Sequence, residues 1–95
     1  MYYIKKPIPI EAIQWTGENF DEIRNFITNK PVVITTFNEL IISTLEGEMK
    51  APIGSWVIRG PLGEYYPCRK EVFEATYEPV ILDQENLIKY GGSYD

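Results

Sequence analysis

The chain contains no histidine and a single cysteine, Cys68. The absence of histidine excludes zinc sites of the Cys/His kind and every catalytic triad that depends on an imidazole. One cysteine cannot form an intramolecular disulfide, which suits a reducing compartment. No stretch approaches the ~18 apolar residues of a membrane span, and the N-terminus lacks the apolar core of a signal peptide. We therefore expect a cytoplasmic protein without a membrane partner.

Basic side chains are outnumbered by acidic ones, 9 Lys and Arg against 14 Asp and Glu, for a net charge of −5. Duplex nucleic acid is not an expected partner, because its binding depends on Lys and Arg side chains that neutralise phosphates. A small phosphorylated ligand is compatible with this charge, since it needs only two or three local cations.

Apolar residues make up 44% of the chain and aromatic residues 14%, which suffices for one core in 95 residues. The pattern predicts an α+β fold: a small twisted antiparallel sheet or partly open barrel, packed with one main helix over about residues 19–29. A single domain is expected over 1–82, and a peripheral C-terminal helix or tail over 83–95. The aromatic content also supplies material for an interface, so we expect a homo-oligomer.

Local signals place the helices. Asn19 is a typical N-cap, and Glu22 follows three residues later, as in a capping box. Apolar residues then recur at helical spacing, and Pro31 follows the end of the pattern. A second, short helix is predicted over 69–75, with Val72 and Phe73 directed inward. A weak helical pattern covers 84–90.

Two groups of potentially reactive side chains are more simply explained by non-catalytic roles. Glu46, Glu48 and Glu64 would form an acid–base or cation site if they shared one end of the sheet. We favour solvated surface charge, since most such carboxylates are solvated. Cys68 has basic neighbours that would lower the pKa of its thiol, but a free cysteine is usually a small buried apolar residue. We predict no catalytic residue, no metal site and no cofactor, and hence no enzyme.

One aromatic and basic cluster indicates a ligand-binding site. A nucleotide pocket needs aromatic rings that stack on a planar base and Arg or Lys side chains that hold phosphate. The alternative is that these aromatics belong to the core, because strand residues alternate between faces. The cluster consists of Trp15, Trp56, Tyr65, Tyr66 and Tyr77 with Lys5, Lys6, Arg59, Arg69 and Lys70. Within it, the predicted ligand-binding residues are Trp15 and Tyr66 for stacking, Trp56 beside them, and Arg59, Arg69 and Lys70 for phosphate.

Several sequence blocks resemble a family of small bacteriophage and prophage proteins. They are KKPIPIEAIQWTG at 5–17, TLEG at 44–47, GSWVIRG at 54–60, GEYYPC at 63–68 and FEATYE at 73–78. The likeness extends over about residues 3–80. Members of that family often have Asp after the glycine of the middle block, where this chain has Ser55.

The resemblance implies a phage origin and a location in the host cytoplasm. Small accessory phage proteins are often counter-defence factors, so the leading hypothesis is stoichiometric binding of a small nucleotide-type signal. The first alternative is an inhibitor that binds a host defence protein through an acidic surface and mimics nucleic acid. The second alternative is a minor virion or assembly protein.

Overall fold

The computed structural model of the protein describes residues 1–82 and 88–90. The described strands are antiparallel and form two three-stranded sheets and one two-stranded sheet. In chain order the elements are β1 (Glu11–Gln14), α1 (Phe20–Phe26), β2 (Val32–Ile34), β3 (Leu40–Thr44), β4 (Gly47–Ala51), β5 (Trp56–Arg59), β6 (Tyr65–Cys68), α2 (Lys70–Thr76), β7 (Val80–Leu82) and β8 (Ile88–Tyr90). Sheet A has the order β1-β5-β6, sheet B has the order β2-β3-β4, and β7 pairs with β8.

The combination of sheet and helix agrees with the predicted α+β class. The strands divide between sheets, however, and no barrel closes among the described residues. For 83–95, where a peripheral helix or a tail was expected, the structure describes residues 88–90, and these form a strand that pairs with β7. The remainder of that predicted tail, 83–87 and 91–95, lies outside the described residues. No helix in the described part of the chain is long and apolar enough to cross a membrane.

The main helix is shorter than predicted, because Phe26 is its last residue. Ile27 donates the closing backbone bond to Ile23 and then leaves helical geometry, with φ −89° and ψ 89°. The Phe26 carbonyl oxygen accepts hydrogen bonds from Arg59 Nη2 at 2.9 Å and from the Tyr65 hydroxyl at 3.0 Å. Arg59 and Tyr65 of sheet A thus supply the hydrogen-bond donors that the backbone N–H groups of a further helical turn would have supplied.

Asn19 occupies the predicted N-cap position without forming the predicted capping box. Its Oδ1 accepts hydrogen bonds from the backbone N–H and the hydroxyl of Thr16. Its Nδ2 donates to the Gln14 carbonyl and to Glu22 Oε1, and no side-chain cap bond to the helix forms. Asn19 therefore connects the start of α1 to the end of β1.

The main core lies between α1, sheet B and one face of sheet A. Its buried members are Trp15, Ile23, Phe26, Ile27, Val32, Leu40, Ile42, Ala51, Val57 and Tyr65. Directly opposed residues of an antiparallel sheet share a face. Val57 and Tyr65 thus define the core face of sheet A, and the strand alternation assigns Trp56, Ile58 and Tyr66 to the opposite face.

The second helix lies on that opposite face and spans Lys70–Thr76, one residue later than predicted. Phe73 is half-buried, as expected, but Val72 is 53% exposed. The prediction of an inward Val72 is therefore wrong. Phe73 and Tyr77 are four residues apart and lie on the side of the helix that faces the sheet. Val72 lies on a neighbouring side and is exposed to solvent.

Candidate functional site

A groove of about 940 Å³ separates the N-terminal segment from α2 and the residues that follow it. Residues 5–10 line one side, residues 73–80 line the other, and Ala12 and Trp56 of sheet A complete the lining. Pro7 and Pro9 lack a backbone N–H and so cannot extend the ladder of β1. The segment before β1 therefore remains outside the sheet and forms a wall.

Three aromatic side chains form an aromatic row in this groove: Trp56, Phe73 and Tyr77. The Trp56 and Phe73 rings stack with centroids 4.3 Å apart and an interplanar angle of 8°. The Phe73 and Tyr77 rings follow at 5.0 Å and 29°. Phe73 and Tyr77 lie one helical turn apart, and the Tyr77 N–H donates to the Phe73 carbonyl at 2.9 Å.

Lys5 places a positive charge at the end of the aromatic row. Its Nζ donates a hydrogen bond to the Tyr77 hydroxyl at 3.1 Å and lies 5.1 Å from the centroid of the Tyr77 ring. Lys6 also lines the groove, as do the carboxylate side chains Glu74 and Glu78. The groove thus combines aromatic rings with charges of both signs.

Tyr66 and Cys68 lie on the same face of sheet A as Trp56. Burial, together with the neighbouring Tyr77 hydroxyl, raises the pKa of Tyr66 to about 12. Burial also raises the pKa of the Cys68 thiol, and the cation that opposes this shift is Lys5 rather than Arg69 or Lys70. Both groups are therefore neutral at physiological pH, and the thiol is not activated as a nucleophile.

The indole N–H of Trp56 is buried and has no acceptor among the described residues. A buried donor without a partner costs about 1–3 kcal/mol, so such groups in native proteins are few. Within the aromatic row, the Tyr77 hydroxyl has a hydrogen-bond partner and the Trp56 N–H has none among the described residues.

Trp15 does not belong to this site, contrary to the sequence prediction. Its side chain is 1% exposed in the main core, and its Nε1 donates to the Asn38 carbonyl at 2.8 Å. The Phe20 ring packs against it edge-on at 6.5 Å. No face of the indole is accessible to a ligand, so the predicted stacking role of Trp15 is corrected to a structural one.

Arg59 also points away from the groove, because it shares the core face of sheet A with Tyr65. Its Nη1 donates to Glu11 Oε1 at 2.8 Å, and its Nη2 donates to the Phe26 carbonyl. The guanidinium lies over the Phe26 ring at 4.8 Å. These contacts occupy Arg59 within the fold, and we remove it from the candidate site.

Arg69 and Lys70 are exposed at the start of α2 and do not line the groove. Of the predicted residues, only Trp56 lines the groove, whereas Tyr66 lies on the same face of sheet A beside Tyr77 without lining it. It adds Phe73, which the sequence prediction did not include, and it gives a place in the groove to Lys5 and Tyr77, which the sequence put in the cluster without a ligand-binding role. The four-residue spacing of Phe73 and Tyr77 was the available signal for the aromatic row, but the predicted second helix ended at residue 75 and so did not include Tyr77.

The alternative in which the three carboxylates share one site is not supported by the structure. Glu46 and Glu48 are exposed in and beside the hairpin turn, and Glu64 Oε1 accepts a hydrogen bond from the Leu62 N–H at 3.0 Å. No cluster of three potential metal ligands occurs in the part of the chain that the structure describes. A comparison of the whole chain with protein-family models, with curated proteins and with solved structures found no match.

Proposed function

We propose that this chain is an accessory phage protein that acts by stoichiometric binding, and that the groove captures a small nucleotide-type ligand. The observation that carries the proposal is the position of Lys5 at the end of the aromatic row. A planar base stacks favourably on aromatic rings, and a phosphate pairs with an ammonium group through charge-assisted hydrogen bonds.

The charges in the groove suit a ligand with few phosphates. Lys5 uses one of its three N–H donors on Tyr77 and keeps two for an anion. Lys6 adds a second cation, while Glu74 and Glu78 balance both. The carboxylates would accept hydrogen bonds from the amino groups of a base and would repel a polyphosphate.

The phage origin and the counter-defence role rest on the sequence blocks over about residues 3–80. A protein that sequesters a nucleotide signal needs no catalytic group, because binding alone lowers the free concentration of the signal. The groove is suited to this task, since it combines aromatic side chains with cations.

Isothermal titration calorimetry with AMP, GMP, cyclic di-AMP and cyclic di-GMP tests the binding proposal. We expect at least one of these nucleotides to bind, and Lys5→Gln to weaken it about tenfold, the equivalent of ~1.4 kcal/mol for one charge-assisted bond. Lys50→Gln is the matched control, because Lys50 is exposed on β4 in the other sheet. Absence of binding up to millimolar nucleotide, or equal affinity of the two variants, would overturn the proposal.

The double variant Arg69→Gln/Lys70→Gln tests whether phosphate binds in the groove or at Arg69 and Lys70, where the sequence predicted it. If the groove binds the ligand, this variant keeps its affinity within about twofold, because neither cation lines the groove. Loss of binding would instead return phosphate recognition to the start of α2.

A second candidate function is inhibition of a host defence protein with a basic surface. Glu71, Glu74 and Glu78 are exposed at helical spacing on and after α2, which favours this alternative. A protein captured on immobilised chain, and released as salt is raised, would support it, because exposed charge pairs weaken with ionic strength.

A further inference from the structure

We propose that the free edge of β4 is a dimerisation surface, which pairs antiparallel with β4 of a second copy of this chain. The pairing would join sheet B of each copy into one continuous sheet. The inference goes beyond the proposed function, because the groove is lined from sheet A, α2 and the segments beside them and takes no residue from β4.

The outer edge of β4 carries unpaired backbone groups. β4 pairs with β3 on one side, and no described strand pairs with its other side. A two-residue turn joins β3 to β4, so the N–H and C=O groups of Gly47, Met49 and Ala51 face β3. Those of Glu48 and Lys50 point outward, and both residues are exposed. Such an edge is a template for pairing with another chain.

The charges on β4 are complementary to themselves about Met49. Antiparallel pairing centred on Met49 places Glu48 opposite Lys50 of the second copy, and Lys50 opposite Glu48 of that copy. Residues opposed in this way exchange both of their backbone hydrogen bonds, and opposite charges directly across a ladder stabilise it. Neither side chain forms an ion pair within its own chain among the described residues. The contact is isologous, as a twofold dimer requires.

One register satisfies both the backbone and the charges. A shift of two residues would place Glu48 opposite Glu48, or Lys50 opposite Lys50, of the second copy, and like charges directly opposite are destabilising. A shift of one residue would set outward backbone groups against those of Met49, which face β3, so the hydrogen bonds could not form. The same two charges disfavour strands of other sequences, which makes a second copy the fitting occupant.

Met49 supplies an apolar contact at the centre of the pairing. Its side chain is 41% exposed, although Ile42, its neighbour across the ladder to β3, is 1% exposed. In the proposed register the two Met49 residues form a non-hydrogen-bonded pair, the kind in which opposed side chains lie closer together. The pairing therefore covers the exposed part of Met49 and continues the apolar face of sheet B into the second copy.

Charge reversal tests the pairing, with analytical ultracentrifugation over a series of protein concentrations. We expect the wild type to dimerise as its concentration rises. Glu48→Lys and Lys50→Glu each oppose like charges at both pairs, so each should weaken dimerisation by at least about tenfold. An equimolar mixture of the two variants should dimerise again, because one strand then carries two positive charges and the other two negative charges.

The matched control is Glu46→Lys, which makes the same change of charge in the exposed turn before β4. It should dimerise like the wild type. The double variant Glu48→Lys/Lys50→Glu should also dimerise, because the exchange restores opposite charges at both pairs. A monomeric wild type, a single reversal that dimerises as tightly as the wild type, a monomeric double variant, or a mixture that stays monomeric would overturn the inference.

Dimerisation and nucleotide binding fail independently. Because β4 does not line the groove, the monomeric variants should bind a nucleotide with the affinity of the wild type. A protein that dimerises in the predicted manner but binds no nucleotide would leave the pairing of β4 intact and end the nucleotide proposal. A monomeric wild type that binds a nucleotide would do the opposite.

Discussion

Trp56 of β5 and Phe73 of α2 lie face to face, with ring centroids 4.3 Å apart and ring planes 8° apart. No residue of α2 is fully buried, so this stack and its continuation to Tyr77 are the main attachment of the helix to sheet A. The same contact that holds the helix also shapes the groove.

Phe73→Ala should therefore detach α2. We expect a loss of about 2 kcal/mol in the free energy of unfolding, less than for a fully buried phenylalanine because the ring is half-buried. Urea denaturation followed by circular dichroism measures this loss. Val72→Ala, on the exposed side of the same helix, should cost less than about 0.5 kcal/mol. Equal losses would contradict the assigned attachment.

The two tryptophans should respond differently to replacement by phenylalanine. Trp15→Phe removes the hydrogen bond to Asn38 and leaves a void in the main core, so we expect it to cost about 2–3 kcal/mol. Trp56→Phe removes a donor that has no acceptor among the described residues and should cost less than about 1 kcal/mol. Urea denaturation of both variants measures the difference, and the reverse order would show that Trp15 is not the core residue.

The protein should lose stability even when Arg59 is replaced by lysine. One ammonium cannot reach both Glu11 Oε1 and the Phe26 carbonyl while it covers the Phe26 ring, as the planar guanidinium does. We expect Arg59→Lys to lower Tm by several degrees in a thermal scan. Arg24→Lys is the control, because the exposed pair of Arg24 with Asp21 contributes little, and its Tm should not move.

Alkaline pH should destabilise the protein partly through Tyr66. Its folded pKa of about 12 lies above the ordinary value of 10, so the unfolded chain loses this proton first. The free energy of unfolding therefore falls as pH rises from about 10 to about 12, and is unaffected by this group below that range. Tyr66→Phe should show a shallower decline in urea midpoints over the same range, and an identical decline would refute the raised pKa.

The α+β class was predictable because helical and strand periodicities are local. Ile23, Phe26 and Ile27 recur at helical spacing, and all three are buried in the core. Partners from elsewhere in the chain decided the boundaries: the Phe26 carbonyl binds Arg59, which is 33 residues away, and the helix ends there.

The sequence by itself determined the class of the fold, which face of α1 is buried, and the presence of the aromatic and basic residues. Only the tertiary structure decided which of these residues meet. Trp15 follows directly after β1 and Trp56 begins β5, yet Trp15 lies in the core and Trp56 lines the groove. Lys5 reaches Tyr77 across 72 residues of sequence, a contact that no local spacing encodes because it depends on how α2 packs on sheet A, to which β1 belongs.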